Sequence, residues 1–296
     1  MSIPTTDWAW SWWTVMVIVN IVNLTICALV FRKSMLSVDS NESSYRKRMR
    51  IMGLIFTLVG AYRAVFVSRY LSQMAWFDSI FNSSLLIRIF AIAAELSFSG
   101  LIAFALLQVN KDLPEMENSK SNTFISFFKT NSPYFLIGCI FIAQFFATSG
   151  LIIKSNTLFA IEETLWSLGF LAVLPLAIIQ VRRVYAIKDK EAIKSLKMLR
   201  QSSVLVAAWC VIYCSYGLFY HLPLESWPSA FNQLETGLPV IKTGMSAIWD
   251  ALTIVNESKE YSDWGFGFLF WHSAYFSVCV WIAILLMRAP RLKNEI

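Results

Sequence analysis

Seven times along its 296 residues the chain returns to an apolar run long enough to cross a hydrocarbon core. The runs are Trp8 to Phe31, Ile51 to Leu71, Ile80 to Gln108, Pro133 to Ile153, Leu158 to Val181, Ser202 to Leu222 and Phe268 to Met287. A helix rises about 1.5 Å per residue, so roughly 20 residues bridge a core of about 30 Å. In hydrocarbon every backbone N–H and C=O must be satisfied within the protein, which leaves only helices or closed barrels. None of these runs shows the strict alternation of barrel strands. The expected fold class is therefore all-α, a polytopic membrane bundle of about seven transmembrane helices forming a single domain over residues 1–296.

Hydrophobic residues make up 57% of the chain and charged residues 15%, which excludes an ordinary soluble domain. A net charge of +6 would suit nucleic acid, but in a membrane protein the positions of the basic residues matter more than their sum. Arg32, Lys33, Arg46, Lys47, Arg48 and Arg50 fill the first loop, and Lys111, Lys120 and Lys129 the third. Arg182, Arg183, Lys188, Lys190, Lys194, Lys197 and Arg200 fill the fifth, and Arg288, Arg291 and Lys293 the tail. Of 25 Lys and Arg residues, only Arg63, Arg69, Arg88, Lys154, Lys242 and Lys259 fall elsewhere. The positive-inside rule makes that basic face cytoplasmic, with the N-terminus outside and the C-terminus inside. The expected partner is a lipid bilayer, not nucleic acid, and the expected location is integral to a bacterial inner membrane or a plasma membrane.

Trp8, Trp10, Trp12 and Trp13 open the first run, where indole rings are expected to anchor at the headgroup level. The one long outer loop, 223–267, carries Leu234, Leu238, Ile241, Met245, Ile248, Trp249, Leu252 and Val255 at helical spacing, which predicts an amphipathic helix interrupted early by Pro239. All five cysteines lie inside apolar runs, where a thiol acts as a small hydrophobe. Asn82-Ser83-Ser84 and Asn256-Glu257-Ser258 match the glycosylation pattern on the outer side.

Ionisable groups at membrane depth cost a few kcal/mol each (about 2.5–3.5 on insertion scales), so they turn toward the bundle interior and mark function. Arg63 lies 13 positions beyond Arg50, roughly 20 Å along its helix, and Tyr70 shares its face. Ser84, Arg88, Ala91, Glu95 and Ser99 draw a polar stripe along the third run. Arg88 and Glu95 are about 10 Å apart along the axis, so each is expected to find its partner on another helix. Glu162 and Glu163 enter the fifth run at the same outer depth. Tyr213, Tyr216 and Tyr220 share a face that ends at His221, while His272, Tyr275 and Cys279 share one on the last run; Asn20, Asn23 and Gln144 add further polar groups. These residues predict a polar cavity in the outer half of the bundle.

Known seven-helix chemistries can be tested by the residues they require. Retinal needs a lysine in the last run for its Schiff base, and Phe268 to Met287 has none, so retinal is excluded. No proline precedes glutamine, as carriers of the Pro-Gln loop type demand, and two histidines are too few for the ceramidase and progestin-receptor-like hydrolases. Beyond that exclusion the sequence leaves the cofactor unknown. The leading expectation is binding of a small polar or amphiphilic molecule or an ion, for transport or sensing, by Arg63, Arg88, Glu95, Glu162, Glu163, Tyr220 and His272. One alternative is an intramembrane enzyme acting on a lipid or isoprenoid, with Glu95 or Glu162 as acid or base and a metal on His221 and His272. Another is an assembly role in which the polar groups hold helices together.

Overall fold

The computed structural model describes residues 7–36, 44–70, 72–113, 123–187 and 193–292. Lys120, Lys188, Lys190 and Lys293 from the basic segments lie outside them. Ten α-helices are described: α1 (Asp7–Leu36), α2 (Ser44–Val65), α3 (Ser84–Asp112), α4 (Thr123–Ile153), α5 (Asn156–Ala186), α6 (Ile193–Tyr216), α7 (Trp227–Thr236), α8 (Gly244–Thr253), α9 (Tyr261–Ala274) and α10 (Val280–Leu286). The long helices pack on their chain neighbours, and α10 closes the bundle against α1, α2, α3 and α6. Among the described residues six helices are long and apolar enough to cross a membrane: α1, α3, α4, α5, α6 running on into α7, and α9 running on into α10. The chain is thus an all-α, multi-pass integral membrane protein.

The side chains on the outside bear this out. On α1, Val15, Ile18, Ile21, Val22 and Leu29 are each at least half exposed, a stripe that water would penalise and acyl chains would not. Inside, Phe56, Phe98 and Phe170 are fully buried, and the Phe56 and Phe98 rings stack at 4.8 Å. Small residues bring α2 against the last helix. A Cβ on Gly53 would lie 2.9 Å from Met287 Cβ, and one on Gly60 would lie 3.0 Å from Val280 Cγ2. This approach seats Arg63, one turn beyond Gly60, against Phe276.

Boundaries differ from the sequence reading in instructive ways. The second apolar run continues to Leu71, but its helix stops at Val65. The chain then forms a small sheet in which β1 (Ser68–Arg69) pairs antiparallel with β2 (Met74–Ala75), and β3 (Asn256–Glu257) adds parallel to β2. The sixth run does not end at Leu222. Its helix continues through a π-wound stretch, Gly217–Ser226, into α7. The wider winding accommodates Pro223, which has no N–H to donate, and the Trp227 N–H reaches back five residues to the Leu222 carbonyl. The single amphipathic helix expected in 223–267 is two short ones, α7 and α8, parted at Gly237, whose φ of 70° ends α7 in the left-handed region.

The tryptophans do more than anchor. Trp76 and Trp264 are buried at the start of the bundle, with Trp8, Trp12 and Trp264 ringing Trp76 at 6.2, 5.3 and 5.3 Å. Trp12 donates to Ser273 Oγ and Trp13 to the Val65 carbonyl, both at 3.0 Å. The Lys259 ammonium donates to the Trp76 carbonyl and pairs with Glu257 at 3.0 Å, with the rings of Trp10, Trp76 and Phe77 at 5.2–5.4 Å. Together these contacts cap one end of the bundle. Asn82 belongs to this cap: it is buried and donates to the Val67 carbonyl at 2.7 Å, so its glycosylation pattern is closed off. Asn256 donates to Ser72 O but is exposed.

At the other end, basic side chains tie off helix termini. Arg183 donates to Asn110 Oδ1 at 2.9 Å and to Leu113 O at 3.0 Å, and Arg291 pairs with Asp112 at 3.4 Å. These groups meet the carbonyl end of α3, where positive charge is favoured. Helix α1 therefore starts at the capped end and α10 finishes at the opposite one.

Candidate functional site

Two turns of α3 carry the first part of the site. Arg88 is 1% exposed, and its guanidinium donates to both Glu95 oxygens at 3.1 Å and to the Gln144 side-chain carbonyl from α4. Glu162 of α5 closes the group, 3.6 Å from Arg88 Nη1. The sequence reading placed the partners of Arg88 and Glu95 on other helices. In fact the two pair directly, because a long arginine and a glutamate on one face can bend toward each other across two turns, and α4 and α5 add their groups around them. One guanidinium thus faces two carboxyl groups in a poorly solvated place.

The second part surrounds Arg63. Its guanidinium lies over the rings of Tyr70 at 5.2 Å and Phe276 at 5.0 Å, and its Nε is buried without a partner. No ion pair to Arg63 is formed among the described residues. Three more buried polar atoms nearby lack partners: the hydroxyls of Tyr70 and Tyr275, and His272 Nε2. Tyr70 and Tyr275 both lie close enough to Arg63 and Glu95 to feel their charges, so both parts share one electrostatic centre. Tyr70 sits beyond the end of α2, and burial pushes its hydroxyl above the ordinary tyrosine range, with Arg63 opposing. The His272 ring is buried among Trp12, Phe268 and Phe276 at 5.6, 5.4 and 4.6 Å, next to Arg63.

The third part leads outward. His221 Nδ1 faces Glu225 at 2.8 Å and its Nε2 faces Glu163 at 3.7 Å, while the Tyr213 hydroxyl donates to the other Glu163 oxygen at 3.5 Å. Both π-wound stretches serve the site: Gly217–Ser226 sets His221 and Glu225, and Tyr275–Cys279 sets Tyr275 and Phe276. Such insertions re-aim side chains and recur at functional sites. Gly217 lets the first of them approach α5, since a Cβ there would lie 2.5 Å from Ser167 Oγ.

The chain matches no known protein family, no curated protein and no solved structure. Any functional reading therefore rests on this geometry.

Arg63, Arg88, Glu95, Glu162, Glu163 and His272 are gathered in the half of the bundle nearer the Trp cap, and Tyr220 stands apart from them. It is 48% exposed and touches only its neighbour Tyr216 within the site, at 5.7 Å. The two histidines keep separate company. Among the described residues no group of three His, Cys, Asp or Glu side chains converges to hold a metal ion. Asn23 is a strut, accepting from Trp281 Nε1 at 2.8 Å and donating to Phe276 O at 3.4 Å, whereas Asn20 donates within its own helix. The role of Glu225 was not drawn from the sequence, although its i,i+4 spacing from His221 is the signal that would have found it.

Proposed function

We propose that the protein binds a small polar or amphiphilic molecule bearing an anionic group in the outer half of its bundle, as a transporter or sensor. The observation that carries this is Arg63: a half-buried permanent cation whose Nε is buried without a partner and which pairs with no carboxylate among the described residues, beside the buried, unpartnered polar atoms of Tyr70, Tyr275 and His272. Buried polar groups are almost always satisfied, so three orphans around a guanidinium whose own Nε is unpartnered point to a guest that satisfies them. Arg88 is less open to an anion, because Glu95, Glu162 and Gln144 engage its two Nη groups and leave only Nε without a partner. The flanking rings suit an apolar moiety next to the charged one. Engagement with Arg88 also weakens the enzyme reading, since neither Glu95 nor Glu162 is a free acid or base.

In this reading α2 crosses the membrane as well, giving seven spans with the Trp cap outside and the basic end cytoplasmic. Helix α8 then rests at the outer surface. Its small buried Ala247 and Ala251 face the bundle, while Met245 and Trp249 are turned outward. The membrane is a bacterial inner membrane or a plasma membrane.

The test is thermal unfolding of the purified full-length protein in detergent with acetate, benzoate, inorganic phosphate or lysophosphatidate. At 100 times its Kd a ligand adds about 2.7 kcal/mol of stability. At least one anion should raise the melting midpoint of the wild type and leave Arg63→Met unmoved. Four anions without effect on the wild type, or equal effects on both proteins, would overturn the proposal.

A further inference from the structure

Helices α7 and α8 each present three faces, where a helix lying between protein and water needs only two. One face is buried: Ala230 and Gln233 on α7, which packs on α5, and Ala247 and Ala251 on α8, which packs on α3 and α4. A second is polar and exposed, with Ser229, Asn232 and Thr236 on α7 and Ser246 and Thr253 on α8. The third is apolar. Phe231 and Leu234 recur three apart on α7, and Met245, Trp249 and Leu252 recur at four and three on α8; all but Leu252 are more than half exposed. Among the described residues nothing covers this third face, and water would penalise it.

The depth of the two helices decides what does cover it. Arg182 stands at the basic end of α5, and Thr164 lies 18 positions up that helix, roughly 27 Å away. Asn156 lies 26 positions up, roughly 39 Å from Arg182, still inside the 40–45 Å or so that a bilayer spans with its headgroups. Trp227 Nε1 donates to Thr164 Oγ1 at 3.2 Å, and the Asn156 N–H donates to Gln233 Oε1 at 2.6 Å. Helix α7 therefore climbs from the far edge of the hydrocarbon into the headgroups. The strap 237–243 stays at that level, because the Lys242 N–H donates at 3.0 Å to the carbonyl of Ile153, the last residue of α4. Below α7 the apolar exposure runs on without a break through Phe219, Ile212 and Val211, on the helix that spans the membrane.

From the three-faced helices and their depth we infer that α7, the strap and α8 form a collar lying in the outer leaflet, with phospholipid as the partner of its apolar faces. Acyl chains pack on Phe231, Leu234, Met245 and Trp249, while the polar faces meet headgroups and water. The inference rests on the reading above only for the side of the membrane on which the Trp cap lies; the anion site plays no part in it.

Spin labels test it in the full-length protein. The five native cysteines are buried, so a label on one added cysteine reports its own position. Leu234→Cys and Met245→Cys probe the apolar faces, and Asn232→Cys and Ser246→Cys the polar ones; all four side chains are exposed, so the fold should tolerate the changes. In phosphatidylcholine vesicles, labels at 234 and 245 should collide with oxygen rather than a nickel chelate in a ratio about threefold or more above labels at 232 and 246. Equal ratios, or apolar-face labels that favour the nickel chelate, would put water on that face and overturn the collar. Dipolar broadening at 234 or 245 that vanishes on dilution with unlabelled protein would overturn it too, with a second copy as the occupant. Neither outcome touches the melting shift caused by anions, so the two proposals fail separately.

Discussion

Arg88 and Glu95 sit two turns apart on α3 and are joined by two parallel hydrogen bonds, Nη1 to Oε1 and Nη2 to Oε2, each 3.1 Å long. With Glu162 at 3.6 Å and Gln144 alongside, the pair ties α3 to α4 and α5. Removing one partner of such a buried pair leaves an uncompensated charge, at a cost of about 3–5 kcal/mol. Arg88→Met should therefore lower the melting midpoint sharply in scanning fluorimetry. Adding Glu95→Gln and Glu162→Gln should recover much of the loss; a triple variant no more stable than Arg88→Met would refute this view of the centre.

Gly217 and Ser167 form a contact that a double-variant cycle can isolate. Alanine at 217 would press its Cβ on Ser167 Oγ at 2.5 Å, and overpacking of this kind costs about 1–3 kcal/mol. Ser167→Ala removes that oxygen and leaves Ser167 Cβ at 3.6 Å, an ordinary contact. The double variant should be more stable than Gly217→Ala alone by thermal unfolding, and simple additivity of the two changes would contradict the packing.

Trp76 is the centre of the Trp cap, fully buried among Trp8, Trp12 and Trp264. Trp76→Ala should cost about 3–5 kcal/mol. Because the rings it touches join the start of α1 to the loops before α3 and α9, limited proteolysis should cut first between residues 66 and 83 and between 254 and 261. Cleavage spread evenly over the other loops would show that Trp76 does not hold the cap.

Lys154 links α4 to α5 outside the spans and donates to Gln73 Oε1 at 2.8 Å. Burial, with Lys242 nearby, pulls its ammonium below the ordinary lysine value of 10.5, and Asp250 opposes. Between the lowered value and 10.5 the unfolded chain holds a proton that the folded chain has shed, so stability rises with pH across that window and is lost as pH falls through the lowered value. Lys154→Met should flatten the alkaline rise in melting midpoint. An identical pH profile in the variant would dismiss this account.

Much of this was legible in the sequence, and the exceptions have physical causes. The apolar runs announced the helices, because backbone in lipid has so few options. The stripe of Arg88, Glu95 and Ser99 located the centre, since charges must turn inward. Helix ends were less legible. Hydropathy alone does not register that Val65 ends α2 or that α6 runs past Pro223, because hairpin pairing and π winding are decided by tertiary contacts. The Arg88–Glu95 pair was missed because axial distance was weighed without the reach of two flexible side chains. The Trp residues read as interface anchors, while their real partners, Trp76 and Trp264, lie far away in the sequence and are joined only by the fold.

The central claim is that Arg63 is kept free to hold an anionic guest. An experimental density map of the protein purified in lipid nanodiscs tests it most directly. The account predicts ordered non-protein density within hydrogen-bonding distance of Arg63, Tyr70 and Tyr275. A guanidinium paired instead with a carboxylate of the protein, or turned outward to the lipid, would contradict it.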